Sequence, residues 1–178
     1  MPSELQVKKW SNMFKMFDVN GDGQIEQADL VLFHTNLYEM RGIGPGDPQF
    51  EQLEGHFGQF GQALQQVSNG QPVKLDAWLG FLSHAAANPE LYKMIQPISE
   101  AIFSLWDLNG DGHVSLQEYR KLCKVMRLGE EYADGIFARL DLNQDQRITL
   151  DELMTLSDQF FVGDDPDEPG NWFFGPLN

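Results

Sequence analysis

Apolar residues return every third or fourth position along most of the chain, in pairs of segments divided by short polar stretches. Val7, Trp10, Phe14 and Phe17 predict one helix, and Leu30, Phe33, Leu37 and Met40 the next. Met94, Ile98, Ile102 and Leu105 precede a second polar stretch, with Leu116, Tyr119, Cys123 and Met126 after it. Ala133, Ile136, Phe137 and Leu140 lead into a third, and Leu150, Leu153, Leu156 and Phe160 lead out of it. A further unit lies between residues 47 and 87, where Leu53, Phe57, Phe60 and Leu64 enter and Leu75, Trp78, Leu79 and Leu82 leave. The pattern predicts an all-α protein made of four helix–loop–helix repeats.

The polar stretches are themselves repeats. "DVNGDGQIEQAD" (Asp18 to Asp29) recurs as "DLNGDGHVSLQE" (Asp107 to Glu118) and as "DLNQDQRITLDE" (Asp141 to Glu152). Each carries acids at its first and fifth positions, Asn at the third, Ile or Val at the eighth and an acid at the twelfth. One acidic turn with "DG" is an ordinary helix cap, but three in register between helices are not. The remaining connection, "SNGQPVKLDA", keeps an apolar Val73 at the eighth position. It places Gln66, Ser68, Gly70 and Ala77 where the others have first, third, fifth and twelfth ligands. That unit keeps the shape and lacks the acids.

Each loop exposes a short strand at positions seven to nine whose backbone groups need a partner. Ile25 is therefore expected opposite Val73, and Val114 opposite Ile148. "RGIGPGDP" (41–48) reads as a turn-rich connector. "AANPE" (86–90) reads as a hinge, with Pro89 in the first turn of the next helix. The expected organisation is an N-terminal pair over 1–87, a C-terminal pair over 88–162, and a tail over 163–178 packed on the lobes.

The loop spacing resembles the EF-hand, which presents oxygens from positions one, three, five, seven and twelve to a divalent cation. Ca²⁺ is a hard ion that takes six to eight oxygens, so carboxylates and carbonyls suit it. The first loop offers Asp18, Asn20, Asp22 and Asp29 with the Gln24 carbonyl. The second offers Asp107, Asn109, Asp111 and Glu118 with the His113 carbonyl. The third offers Asp141, Asn143, Asp145 and Glu152 with the Arg147 carbonyl. Glu26, Ser115 and Thr149 hold position nine. Position six must adopt positive φ, which Gly23 and Gly112 do freely; Gln146 does so at a cost of about 1–2 kcal/mol. A weaker third calcium site is expected. Asp29 is one methylene shorter than the usual Glu and is expected to give one oxygen rather than two, which favours Mg²⁺ at the first site.

Charge and composition narrow the function. The chain has 178 residues and a formal charge of −15, which argues against nucleic acid and anionic lipid as partners. Three Ca²⁺ would add six positive charges and relieve the repulsion among the crowded carboxylates. The single cysteine, Cys123, excludes an intramolecular disulfide and suggests a reducing compartment. The first residues have no signal-peptide run, Pro2 replaces the glycine that myristoylation needs, and nothing approaches a membrane span. A soluble, cytoplasmic monomer is expected.

With four hands, the second silent, and a tail reading "FFVGDDPDEPGNWFFGPL", the chain resembles the sarcoplasmic calcium-binding protein family, with calexcitin and the bacterial calerythrin-type proteins. The resemblance implies a compact molecule with its lobes packed together and a role as a Ca²⁺/Mg²⁺ buffer. A sensor that regulates a protein target is one alternative, although Met1, Met13, Met16, Met40, Met94, Met126 and Met154 form no clustered patch. "NWFFGPL" is too apolar for water and is expected to plug the groove between lobes. A calcium-dependent carrier of an apolar ligand, luciferin-binding or photoprotein-like, is the other alternative. Photoproteins need a C-terminal His, and no histidine follows His113. No enzyme is expected. Cys123 reads as core, His34 and His84 as half-buried packing residues, His113 as a surface imidazole, and Trp106 as core against its loop.

Overall fold

Helix, short strand and helix follow one another four times through residues 2–177, which the computed structural model describes. The side chains of residues 52, 56, 59, 60, 63, 67, 94–98, 101 and 130 lie outside that description. Among them are Phe60, Met94 and Ile98, expected above to be apolar helix positions.

Local chemistry sets the helix ends. α1 (Glu4–Phe17) opens on a reciprocal cap, in which Ser3 Oγ accepts from Gln6 N and the Gln6 side chain accepts from Ser3 N. α2 (Gln27–Arg41) stops at Gly42, whose φ of 68° is the left-handed conformation that ends helices cheaply at glycine. Asp47 caps α3 (Pro48–Ser68), with proline at the first helical position. α4 (Leu75–Ala87) and α5 (Pro89–Trp106) are separated by Asn88 alone, which accepts from Glu90 N and Leu91 N. The expected hinge is thus a tight Asn–Pro corner. α6 (Leu116–Val125), α7 (Glu130–Leu140) and α8 (Leu150–Phe161) complete the second half, followed by a 3₁₀ turn at Pro169–Trp172.

The strands join the hands two by two. β1 (Gln24–Ile25) runs antiparallel to β2 (Val73–Lys74), with Ile25 opposite Val73. β3 (His113–Ser115) pairs with β4 (Arg147–Thr149), with Val114 opposite Ile148. Both registers are those the sequence repeats predict.

One apolar core runs through the molecule. In the first half Trp10 and Trp78 are fully buried, and the Trp78 indole donates to the Trp10 carbonyl at 3.0 Å. Phe17 lies edge-on to Phe33 at 5.1 Å, and Phe33 edge-on to Phe57 at 6.2 Å. In the second half Trp106 packs on Tyr119 and Cys123 is buried, as expected. His34 is half-buried, stacked on Phe57 at 3.6 Å, whereas His84 is exposed because its place on α4 faces solvent. Burial lowers the His34 pKa to about 4, against the opposing pull of Glu54.

The tail folds back. Phe173 is fully buried, 5.0 Å from Trp106, and Phe174 meets Phe160 edge-on at 4.9 Å. Arg139 of α7 sits over the Trp172 ring, 4.5 Å from its centre. Beyond these contacts with α5, α7 and α8, the tail reaches the first half where Asn12 Nδ2 donates to the Pro176 carbonyl at 2.8 Å. Lys9 crosses the same boundary. Its buried ammonium donates to the carbonyls of Gln159 and Gly163, each at 2.8 Å, at the C-terminal end of α8.

Candidate metal centres

Every acidic loop starts at the C-cap of its entering helix and closes in the first turn of its exiting helix. Asp18, Asp107 and Asp141 are the C-caps of α1, α5 and α7. Their carboxylates gather the loop around themselves. Asp18 Oδ1 accepts from Gly21 N at 2.8 Å and Asp22 N at 3.1 Å, while Oδ2 accepts from Gly23 N at 2.9 Å. Asp107 does the same with Gly110, Asp111 and Gly112. Asp141 does so with Asp145 and Gln146.

The third and fifth positions interlock alike in all three. Asn20, Asn109 and Asn143 accept from the backbone N–H of Asp22, Asp111 and Asp145 at 2.8–2.9 Å and donate from Nδ2 to those same carboxylates. The fifth-position carboxylates then accept from Gln24 N, His113 N and Arg147 N, the residues that open the strands. Position six is left-handed throughout, with φ of 84° at Gly23, 87° at Gly112 and 70° at Gln146. Position four is left-handed as well. Gly21 and Gly110 hold it at 76° and 73°, and Gln144 at 62°. Gln144 was not anticipated, although the two aligned glycines carried the signal.

The twelfth residue separates the first loop from the others. Glu118 Oε1 accepts from both Leu108 N and Asn109 N, and Glu152 Oε1 from both Leu142 N and Asn143 N. Among the described residues Asp29 Oδ1 accepts only from Asn20 N, at 3.1 Å, because its shorter stem does not span the loop as far. The other oxygen of each accepts from position nine, Glu26 N, Ser115 N or Thr149 N. Ser115 and Thr149 also donate their hydroxyls to Glu118 and Glu152, closing a capping box on α6 and α8. Glu26 offers no hydroxyl.

Asp18, Asp29, Asp107, Glu118, Asp141 and Glu152 are all buried, Asp29 to 1% exposure. The ion pairs among the described residues are Lys93–Glu90, His113–Asp111 and Arg120–Asp134, and none includes those six. Buried charges are held by partners or by metal ions. Among the described residues no three His, Cys, Asp or Glu side chains form a cage by themselves. In each loop an Asn amide oxygen and a strand carbonyl would have to complete the set, an all-oxygen donor set that fits Ca²⁺ or Mg²⁺ and not a soft ion. His113 is less exposed than expected, with Nδ1 3.0 Å from Asp111 Oδ1.

The acid-free unit differs upstream. α3 continues through Ser68, so Gln66 and Ser68, aligned above with ligand positions one and three, are still helical. Only Asn69 to Pro72 separate α3 from β2. Left-handed Asn69 and Gly70 turn the chain, and Ala77 stands in α4 without an oxygen to offer.

The chain is similar to known proteins in sequence and in fold. The family model for an EF-hand domain pair matches residues 7–124, and a model for a further EF hand matches 133–157. Calcium-dependent protein kinase 4 of Plasmodium berghei (strain Anka) is 25% identical over 129 residues, covering 72% of this chain but 23% of the kinase. The match therefore takes in under a quarter of that protein. A coelenterazine-binding protein from Renilla muelleri in its calcium-loaded apo form superposes with a TM-score of 0.77 at 21% identity, covering 99% of this chain and 100% of that one. A sarcoplasmic calcium-binding protein from amphioxus gives 0.73 at 18% identity, covering both chains fully.

Proposed function

From the premise that the chain belongs to the EF-hand family of calcium-binding proteins, we propose that it acts in the cytoplasm chiefly as a Ca²⁺/Mg²⁺ buffer with three sites. The observation that carries this reading is the set of six buried carboxylates, two in each acidic loop, with no ion-pair partner among the described residues. The ligands are Asp18, Asn20, Asp22, Gln24 and Asp29; Asp107, Asn109, Asp111, His113 and Glu118; and Asp141, Asn143, Asp145, Arg147 and Glu152. The first site takes Mg²⁺ most readily, since the shorter reach of Asp29 leaves fewer oxygens and Mg²⁺ needs only an octahedron.

Several features favour a buffer over a sensor or an enzyme. A sensor exposes an apolar groove on loading. Here Met13, Met16 and Met126 are buried, and Phe173 and Phe174 occupy the apolar surface beside Trp106 and Phe160. The match to the kinase spans too little of it to bring its activity here. The test is a calcium titration in millimolar Mg²⁺, followed by heat and by an apolar dye. Three sites with a flat dye signal support the buffer; a rising signal makes the chain a sensor.

A second reading has one observation behind it. A cavity of about 680 Å³ lies between α2 and α3, walled by His34, Tyr38, Phe50 and Phe57. That volume suits a small aromatic molecule. A native mass spectrum of the freshly isolated protein showing no bound organic mass removes this reading.

A further inference from the structure

Two arginines at matching places tie the halves together. Arg41 is the last residue of α2, the helix that leaves the loop 18–29. Arg127 follows the C-cap of α6, the helix that leaves the loop 107–118. The Arg127 guanidinium crosses to α1. Its Nη1 donates to the Val19 carbonyl at 2.9 Å, and its Nη2 to those of Lys15 at 3.0 Å and Asp18 at 2.9 Å. These carbonyls belong to the last turn of α1 and the first two residues of its loop. Arg41 makes the reciprocal reach. Its Nη1 donates to the Ser104 carbonyl in the last turn of α5, the helix that enters the loop 107–118. Its Nη2 donates to Gln49 Oε1 at 3.0 Å.

The two side chains together close a circuit between the halves. Helix C-termini leave carbonyls without intrahelical partners and carry negative partial charge, so a guanidinium there both bonds and neutralises. The planar fork also fixes direction, which an ammonium does not. Arg127 holds a left-handed φ of 55°, the helix-ending turn that Leu128 N closes on the Cys123 carbonyl at 2.8 Å. Arg41 Nε is buried with no hydrogen-bond partner among the described residues, and Asp107, Asp47 and Glu118 attract the side chain. Each exiting helix therefore carries two things: its own loop's twelfth residue, Asp29 on α2 or Glu118 on α6, and an arginine gripping the backbone that mounts the other loop's first residue.

We propose that Arg41 and Arg127 are positioning residues that couple the loops 18–29 and 107–118, so that an ion in one alters the affinity of the other. An ion drawing on Glu118 shifts α6, hence Arg127, hence the backbone at Asp18. An ion drawing on Asp29 shifts α2, hence Arg41, hence the backbone leading to Asp107. The proposal rests on the reading that these loops hold cations.

Calcium alone is the probe, and the amide signals of Gly23 and Gly112, which donate to Asp18 and Asp107, report each loop separately. With both arginines present, Glu118→Gln is expected to change the calcium affinity of the loop 18–29, read at Gly23, by about fivefold or more. In an Arg127→Lys or Arg41→Lys background, which keeps the charge but not the fork, the change should shrink to under about twofold. A Gly23 curve indifferent to Glu118→Gln in the native-arginine protein overturns the coupling, as does an undiminished change in both lysine backgrounds. If Gly23 ignores calcium altogether, the loop assignment itself fails and takes the proposal with it. Should Glu118→Gln unfold the chain, Asp111→Asn empties the same loop and gives the same test.

Discussion

Replacing Gln146 by glycine isolates the strain in the third loop. Gln146 sits at φ 70° and is exposed, and its backbone N–H donates to Asp141 Oδ2 at 2.8 Å, as Gly23 and Gly112 do to their own first residues. Gln146→Gly therefore removes no packing and no loop hydrogen bond. A left-handed residue other than glycine costs about 1–2 kcal/mol, and the added freedom of glycine in the unfolded chain offsets about 0.5–1 kcal/mol of the relief. The net gain is on the order of 1 kcal/mol. Where the loop is already ordered without the ion, that gain raises thermal stability in chelator. Where the ion imposes the turn, it raises calcium affinity at this site three- to tenfold, since about 1.4 kcal/mol is a factor of ten. Gln144→Gly should act in the same direction, and could restore the bond to Asp141 that Gly21 and Gly110 make to their counterparts. Calorimetric titration and melting curves of the single and double variants read both quantities. Variants with neither higher affinity nor a higher melting temperature refute the strain argument.

Four other outcomes are expected. Asp29→Glu should raise calcium over magnesium preference at the first loop by roughly tenfold, as a longer stem supplies a second oxygen, and competition titration reads it. Lys9 is buried, which lowers its pKa to about 8 from 10.5, against the opposing pull of Glu168 and Asp164. Between those values the unfolded chain holds a proton the folded one has lost, so stability from this group rises with pH; urea midpoints should show the native chain gaining about 1–2 kcal/mol on Lys9→Met from pH 7.5 to 9.5. Phe173→Ala should cost about 3–5 kcal/mol, as a fully buried ring, and deleting residues 170–178 should raise dye binding; unchanged melting and dye signals mean the tail does not cover the core.

The loops and their pairing were legible because both are written at fixed offsets. Acids at positions one, five and twelve and an apolar eighth residue repeat three times, and the eighth residues pair as Ile25 with Val73 and Val114 with Ile148. Helical faces followed from spacing, down to the burial of Cys123 and Trp106. What was not legible is what depends on distant partners. Nothing near Lys9, Arg41 or Arg127 marks them out from the other basic residues, since their acceptors are carbonyls far along the chain. The continuation of α3 through Ser68 was hidden because, without acids to cap it, the helix had no local reason to stop at Gln66. The tail's apolar content foretold burial, but its choice of Trp106 and Phe160 is a matter of shape.

On the proposed function, the three acidic loops each hold one divalent cation through their buried carboxylates. Counting bound calcium by native mass spectrometry, for the unaltered chain and for Asp18→Asn, Glu118→Gln and Glu152→Gln, tests it directly. Three ions per chain and two in each variant are expected. A chain that binds none, or variants that keep the full complement, would overturn the assignment of these loops as metal sites.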